Sequence, residues 1–585
     1  LKQLATIIIC CLLYHFSSAQ KYWQQEVHYA IDVTLHDSDN SLTGFEKIVY
    51  INHSPDTLHY IWMHVWMNAY KNDRTAFSEQ MLKNGSTDFY FSNDAEKGYT
   101  NQLNFIANDK VLSIQPDSSN IDILKINLQK PLPPNDSAII TTPFHVKLPY
   151  NFSRGGHVYQ TYQITQWYPK PAVYDAKGWH QMPYLDQGEF YSEFGNYTVN
   201  ITLPSNYIVA ASGDLQNNDE LNKLIALGKT DAVKQNNYAI YKKKKATLKG
   251  KRTTIQSFMP ASAKQTKTLN YTLNNAHDFA WFASKLFIVS YDTVQLHNHS
   301  VGTFTYYHPW QVDTWKQSSK YIKDAIHFYS DSVGEYPYNI ASAVAGNDDV
   351  NSGGMEYPTI TLITTSENGK ELDATIAHEV GHNWFYGILG SNERDHAWMD
   401  EGINSYYQQQ YEQYKYGKSN AGLFQNHFPE NLNELLVHSV ERVKKDQPID
   451  ATSAAYSSLN YDLMVYEKTP IWMNALRKQL GDAIFDSCMK AYYQQWQYKH
   501  PYPEDFKQIV EQTSNTNIST LYKRLYKTGP IEDTIAKKKI RLTTFFNLKY
   551  TDKYNYISVA PLLGYNNYDK LMIGGIIHNY QLPLN

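Results

Sequence analysis

Five consecutive residues, His378-Glu379-Val380-Gly381-His382, carry the strongest chemical signal in this chain. On an α-helix, residues four apart lie about 40° apart around the axis and one turn along it. Two imidazoles at that spacing can turn one nitrogen each onto a single ion. Glu379 is rotated by about 100° from His378, too far round to replace a histidine, but able to reach a water on the ion. Glu401 follows in Trp398-Met399-Asp400-Glu401-Gly402 and can supply a third ligand. Three protein ligands leave a fourth position for water, which marks a catalytic rather than a structural zinc. One Zn2+ per chain is therefore expected, with Glu379 taking a proton from a water that attacks a peptide carbonyl. A His-Glu pair on a surface helix would be only an ion pair. Leu372, Ile376, Ala377, Val380 and Trp384 argue against that, because they give the helix apolar faces to bury.

The H-E-x-x-H pattern, then eighteen residues, then Glu401 resembles the gluzincin aminopeptidases, the family of aminopeptidase N and leukotriene hydrolase. Three more segments match in the same order. Gly353-Gly354-Met355-Glu356 resembles the family's G-x-M-E-N strand, and Tyr466-Glu467-Lys468 resembles the segment bearing its catalytic tyrosine. Ala276 to Phe282, with Asp-Phe-Ala-Trp at its centre, is similar to the segment that closes the family's N-terminal β-domain. The resemblance spans residues 25–530. It implies a zinc aminopeptidase acting on peptides with a free N-terminus. Zn2+ would sit on His378, His382 and Glu401, with Glu379 as base and Tyr466 as donor to the oxyanion. Glu356 would bind the substrate's α-amine, and the strand Gly353, Gly354 and Met355 would run along the substrate backbone. A second amine contact is expected from the β-domain, with Gln160 and Gln163 both open as candidates. The chain departs from the family at Tyr357, where the pattern has Asn, and at Thr469, where Gly is usual. A zinc endopeptidase of the same fold would have no use for Glu356. A non-catalytic envelope peptide-binding module would have no reason to keep both base and ligands.

These residues need a scaffold, and 585 residues exceed what one hydrophobic core supports. The expected architecture is multidomain α+β. It comprises a signal peptide at 1–19, an all-β sandwich-like domain at 20–286 and a thermolysin-like α/β domain at 287–480. A short helical domain at 481–538 and a β-segment at 539–585 follow. Alternating runs predict strands at Ala30–Leu35, Lys47–Ile51, Ile139–Leu148, Tyr197–Leu203 and Thr253–Phe258. A further strand is expected at Met355–Thr365, and helices at Gln311–Val333, Leu372–Tyr386, Ala397–Tyr416, Thr469–Trp496, Pro503–Gln512 and Ile518–Tyr526. The 49 tyrosines favour half-buried β-surfaces.

The apolar run Ile7–Tyr14, followed by Ser17-Ser18-Ala19, reads as an export signal, too short to span a bilayer. The expected location is the periplasm, the outer membrane or the exterior. Two of the three cysteines fall in that signal, so only Cys488 remains and no internal disulfide can form. A net charge of −4 gives no global field for nucleic acid, and none is expected as a partner. The basic run Lys242 to Lys245 is read as a solvated loop or hairpin edge. Tyr554–Leu563 and Lys570–Tyr580 can pair, and Gly574-Gly575 with its apolar flanks resembles the opening strands of an outer-membrane β-barrel. That predicts a truncated barrel and outer-membrane association. The alternative is a small hairpin packed on the enzyme.

Overall fold

The structure is a computed structural model that describes residues 22–248, 254–347, 354–364, 369–417, 432–532, 539–544 and 554–579. The expected signal at 1–19 and Gly353 lie outside the described residues.

The N-terminal half is built on a large sheet. Its long strands are β1 (Glu26–His36), β2 (Ser41–Ile51), β3 (Ser137–Lys147), β4 (Gly195–Pro204) and β5 (Thr266–Ala276). They lie side by side as β5-β4-β1-β2-β3, antiparallel except for the parallel pair β1/β4. Every second residue of β1 from Val27 to Leu35 is buried, as the period-2 pattern requires of a sheet with one dry face. Two sequence expectations fail in this half. Ile255–Phe258 is a short helix, not a strand, and Lys242–Lys245 lie in the helix Asn236–Thr247, not in a loop or hairpin edge. Tyr241 anchors that helix by packing on Phe258 and Leu286, and lysine is a good helix former once its amine reaches water.

The second half opens with a five-stranded sheet of β6 (Ile288–Gln295), β7 (Ser300–Tyr307), β8 (Ile340–Ala345), β9 (Gly354–Tyr357) and β10 (Ile360–Ile363), ordered β6-β7-β8-β10-β9. Adjacent residues face opposite cores. Val289, Phe304, Val344 and Leu362 pack on the N-terminal half, whereas Ile288, Val301, Ala343 and Ile363 pack on helices. The strand expected over Met355–Thr365 is instead a tight hairpin. Pro358 cannot donate to a ladder and Thr359 takes φ +66°, so the chain reverses there. β9 thus becomes an antiparallel edge strand, a position open to an added peptide strand.

Helices α1 (Ser318–Ser332), α2 (Lys370–Gly381), α3 (Glu393–His396) and α4 (Glu401–Tyr416) cover the sheet. Ile322, Ala325, Ile326 and Tyr329 form the buried stripe of α1, at helical spacing. α2 ends at Gly381, not at Tyr386. A Cβ at Gly381 would meet Asn404 Oδ1 at 2.2 Å and Tyr329 Oη at 2.3 Å, so glycine lets α1 and α4 close on α2. α5 (Leu432–Arg442) precedes a π-helical segment, Asp462–Lys468, which runs into α6 (Thr469–Leu480). Gly481, at φ +82°, divides the expected long helix into α6 and α7 (Asp482–Trp496), and α8 is Pro503–Ser514. Phe485, Met489, Phe506 and Ile509 share one core with Ile376 and Trp384, so α7 and α8 buttress the metal helix rather than form a core of their own.

The C-terminal segment holds β11 (Lys539–Thr544), β12 (Tyr554–Asn566) and β13 (Lys570–His578). The expected hairpin is present as the antiparallel pair β12/β13, while β11 joins β12 in parallel.

Candidate active site

His378 lies in the last turn of α2 and His382 caps it with helical dihedrals, so the i, i+4 geometry holds across the helix end. Glu401 opens α4, which crosses α2. Asn404 fastens the crossing by donating to the His378 carbonyl at 2.7 Å and accepting from Tyr329 Oη at 2.8 Å. The three expected ligand atoms converge. His378 Nε2 lies 3.0 Å from Glu401 Oε2 and 3.1 Å from His382 Nε2, and His382 Nε2 lies 3.1 Å from Glu401 Oε2. A tetrahedral zinc with ligand bonds of about 2.05 Å sets its ligand atoms about 3.3 Å apart, close to this triangle.

The outer nitrogens support the same assignment. His382 Nδ1 faces Asp400 Oδ1 at 2.6 Å, and His378 Nδ1 faces Gln408 Oε1 at 2.9 Å. Both partners accept, so each neutral ring carries its proton on Nδ1 and presents a bare Nε2 lone pair inward. Two lone pairs and a carboxylate pointing at one another are stable only around a cation. Burial, the strongest influence, raises Glu356 and Glu393 well above the usual carboxylate range and lifts Glu379 to about 8 and Asp400 to about 7. Burial opposes ionisation of Glu401 too, but His382 and His378 hold its carboxyl well below that range. The donor set fits a divalent ion.

The triangle lies in a cleft of about 1130 Å³, whose walls include Arg154, Glu189, Gly354, Glu356, Glu379 and Tyr466. Gly354 sits against the base: a Cβ there would lie 2.1 Å from Glu379 Oε1. Glu356 is 5 % exposed and its Oε1 has no hydrogen-bond partner among the described residues. Met355 points away from the cleft floor, with its sulfur 3.0 Å from Arg154 Nε. The π-helical turn carries Tyr466 to the ligand triangle, where its phenol donates to Glu401 Oε1 at 2.6 Å. Tyr461, the nearest competing tyrosine, instead donates to Glu393 at 3.0 Å.

The two glutamines do not reach the cleft. Gln160 bonds Asp37 O at 2.9 Å and accepts from Lys285 Nζ at 2.6 Å. Gln163 is buried between Arg154 O, 3.0 Å away, and the Asn347 amide, 2.8 Å away. The reason is strand register: the short strand Thr161–Ile164 is central in its own sheet, so its side chains face packed neighbours. The β-domain sends Glu189 instead. Its carboxylate is gripped by the Arg154 guanidinium, and Arg394 holds its carbonyl at 3.1 Å and 3.2 Å. Oxygens of Glu189, Glu356 and Glu401 lie within 4.8 Å of one another. Nothing in the spacing around Glu189 reveals this, since only the fold brings residues 189 and 356 together. Asp400 and Gln408 were more legible, flanking Glu401 or following it by two turns on one helix face.

Comparison with known proteins agrees with this geometry. Residues 318–525 match the model for the peptidase family M1 domain. The chain carries a peptidase family M1 domain. That domain contains the three ligands, Glu356, Glu379 and Tyr466. Among curated relatives, leucine aminopeptidase 2 of Yarrowia lipolytica is 28% identical over 165 residues, covering 25% of this chain and 24% of that protein. Human aminopeptidase B is 26% identical over 165 residues, covering 26% of this chain and 24% of that protein. Aminopeptidase N of Lactococcus lactis is 23% identical over 209 residues, covering 33% and 24%. The chain thus matches about a quarter of the length of these relatives. The fold similarity extends further. An M1 zinc metallopeptidase of Deinococcus radiodurans superposes with TM-score 0.53 at 14% identity, over 86% of this chain and 94% of that one. The architecture is that of a two-part M1 metallopeptidase: a β-rich N-terminal half ahead of the M1 domain.

Proposed function

We propose that this protein is a zinc metallo-aminopeptidase that removes the first residue of peptides with a free N-terminus. The observation that carries this reading is the carboxylate corner of Glu356 and Glu189 beside the ligand triangle. An anionic corner fixed near the reacting position pairs with a charged α-amine and measures a short distance to the first peptide bond. An endopeptidase would place no buried charge where the middle of a chain must pass. The matched relatives support the reading. They include aminopeptidases by name, and the Deinococcus radiodurans enzyme was solved with a Tyr-Ser-Ala substrate.

His378, His382 and Glu401 would hold the zinc, which supplies charge to polarise a carbonyl and to acidify a water. Asp400 and Gln408 fix the two rings with their lone pairs inward. Glu379 accepts the water's proton and returns it to the leaving amine. Tyr466, free to swing from Glu401 Oε1, donates to the developing oxyanion. The β9 edge around Gly354 pairs with the substrate backbone, and Glu356 receives the ammonium. The test is hydrolysis of one peptide in free and N-acetylated forms by the zinc-loaded protein. Cleavage of the free form alone, from its end, is expected. Internal cleavage of both would replace this reading with the endopeptidase one.

Export and outer-membrane association belong to the same proposal. Supporting the second, Val559, Leu563, Tyr565, Leu571, Ile573 and Ile577 are exposed on one face of the β12/β13 hairpin. Contiguous apolar surface of this kind marks an interaction site. No helix among the described residues is long and apolar enough to cross a membrane. Deleting 539–585 should move the protein from the membrane fraction to the soluble one; unchanged fractionation would remove the idea.

A further inference from the structure

Beneath the amine corner lies an anionic group that the reaction as described does not use. Glu393 is 0 % exposed, at the start of α3. Its position is fixed at two points. Tyr461 Oη donates to its Oε1 at 3.0 Å, and Ser453 Oγ donates to its backbone carbonyl at 3.0 Å. Its other oxygen, Oε2, has no partner among the described residues, and neither has Asp400 Oδ2 or Glu356 Oε1. Carboxylate oxygens of Glu356, Glu393 and Asp400 lie within 4.8 Å of one another, and all three residues are buried. Three buried carboxylates with unmet acceptors demand a cation.

The nearby cations are committed elsewhere. Arg154 is bound to the Glu189 carboxylate, and Arg394 donates to the carbonyls of Glu189 and Pro183. The zinc would sit on the Nε2 side of His382, with the imidazole ring between it and Asp400 on the Nδ1 side. The missing charge therefore has to arrive from the cleft, and Glu356 is the member of the trio that lines it. A nitrogen centred among oxygens up to 4.8 Å apart can lie within about 2.8 Å of all three, the length of a charge-assisted hydrogen bond.

We propose that Glu393 is a specificity residue for the substrate's α-ammonium, completing with Glu356 a socket whose floor is Asp400. This rests on the aminopeptidase reading and extends it. The ammonium has three N–H donors, so a socket with several acceptors selects it over a neutral end group and fixes its direction.

The test is calorimetric binding of L-leucinol, and of its deaminated analogue 4-methylpentan-1-ol, to the zinc-loaded protein and to Glu393→Gln. Zinc content and thermal unfolding are measured on both proteins, and Glu393→Asp serves as a second variant that keeps the charge. Losing a hydrogen bond to a charged group should weaken leucinol binding about 10- to 100-fold in Glu393→Gln, leave the alcohol unchanged, and recover in part in Glu393→Asp. If wild type prefers leucinol and Glu393→Gln keeps that preference with its zinc, the Glu393 assignment is wrong while the aminopeptidase reading stands. Should Glu393→Gln fail to fold, Glu393→Asp decides alone: a preference weakened at full zinc content supports the socket, and an unaltered one overturns it. If wild type itself binds the two compounds equally, ammonium recognition is absent and both readings fall.

Discussion

Replacing Gly354 with alanine should disable the base without touching a ligand. The added Cβ would lie 2.1 Å from Glu379 Oε1, 2.3 Å from its Cδ and 2.6 Å from its Cγ. Ordinary carbon–oxygen contact begins near 3.4 Å, so the carboxylate has to retreat by more than 1 Å or β9 has to move outward. The whole Glu379 side chain is approached, not only its tip, so a simple terminal rotation does not clear it. A misplacement of about 1 Å in a reacting group costs roughly 10²-fold in rate, which is about 2.7 kcal/mol of barrier. Displacement of the edge strand would also misalign the substrate backbone, so 10²-fold is a lower expectation. The assay is kcat and KM on a free-amine peptide, with zinc measured in the same samples. Full zinc content with kcat reduced by about two orders of magnitude is expected. Wild-type kcat in a zinc-replete Gly354→Ala variant would refute both the placement of Glu379 and its role as base.

Tyr466→Phe should retain zinc and lose about 10²- to 10³-fold in kcat, because a single oxyanion donor is removed; unchanged kcat would assign the tyrosine to packing. Asp278→Ala strands Lys170, which is 0 % exposed and 2.8 Å from the lost carboxylate, so denaturant unfolding should show a loss of about 3–5 kcal/mol. Adding Lys170→Met to that variant should restore much of the loss, and a double variant no better than the single would argue against the pair. His308 is buried, and desolvation, only partly opposed by its bond to Gln311, lowers its folded pKa to about 4. The unfolded chain therefore takes up a proton first as pH falls below about 6.5, so this group's contribution is full at neutral pH and declines by about 1.4 kcal/mol per pH unit down to about 4. The stability gap between wild type and His308→Asn should narrow accordingly between pH 7.5 and pH 5, and a constant gap would contradict the assignment.

The parts of the site readable in the sequence are those fixed by local helix geometry. His378, Glu379 and His382 share one helix end, and Glu401 begins the next long helix; four residues at two fixed spacings need only those helices to be buried together. Tyr466 was placed through resemblance alone, and the feature that delivers it, a π-helical turn over Asp462–Lys468, leaves no periodicity to read. The single strand expected over Met355–Thr365 failed because an apolar run reads alike whether straight or folded back at Pro358. Gln160 and Gln163 failed for a different reason: alternation along a strand gives two faces but not which neighbour each face meets. Glu189 and Glu393 were invisible, since each acts only where elements distant in sequence converge.

The charges around the site explain why those convergent residues matter. Glu189, Glu356, Glu379, Glu393, Asp400 and Glu401 crowd around two imidazoles, and only Glu189 has a full cationic partner within the chain. A resident divalent ion offsets Glu401 and the oxygens nearest it. It does not reach the oxygens of Glu356 and Glu393 that face away. The empty-handed protein is therefore left with an anionic pocket that a substrate ammonium relieves, so binding strength concentrates at the N-terminal end of the peptide. Blocking that amine by acetylation removes the charge and adds bulk in the same corner. Discrimination against blocked peptides should accordingly appear in KM as well as kcat, and should weaken as salt screens the approach but persist in part, because the carboxylates are buried.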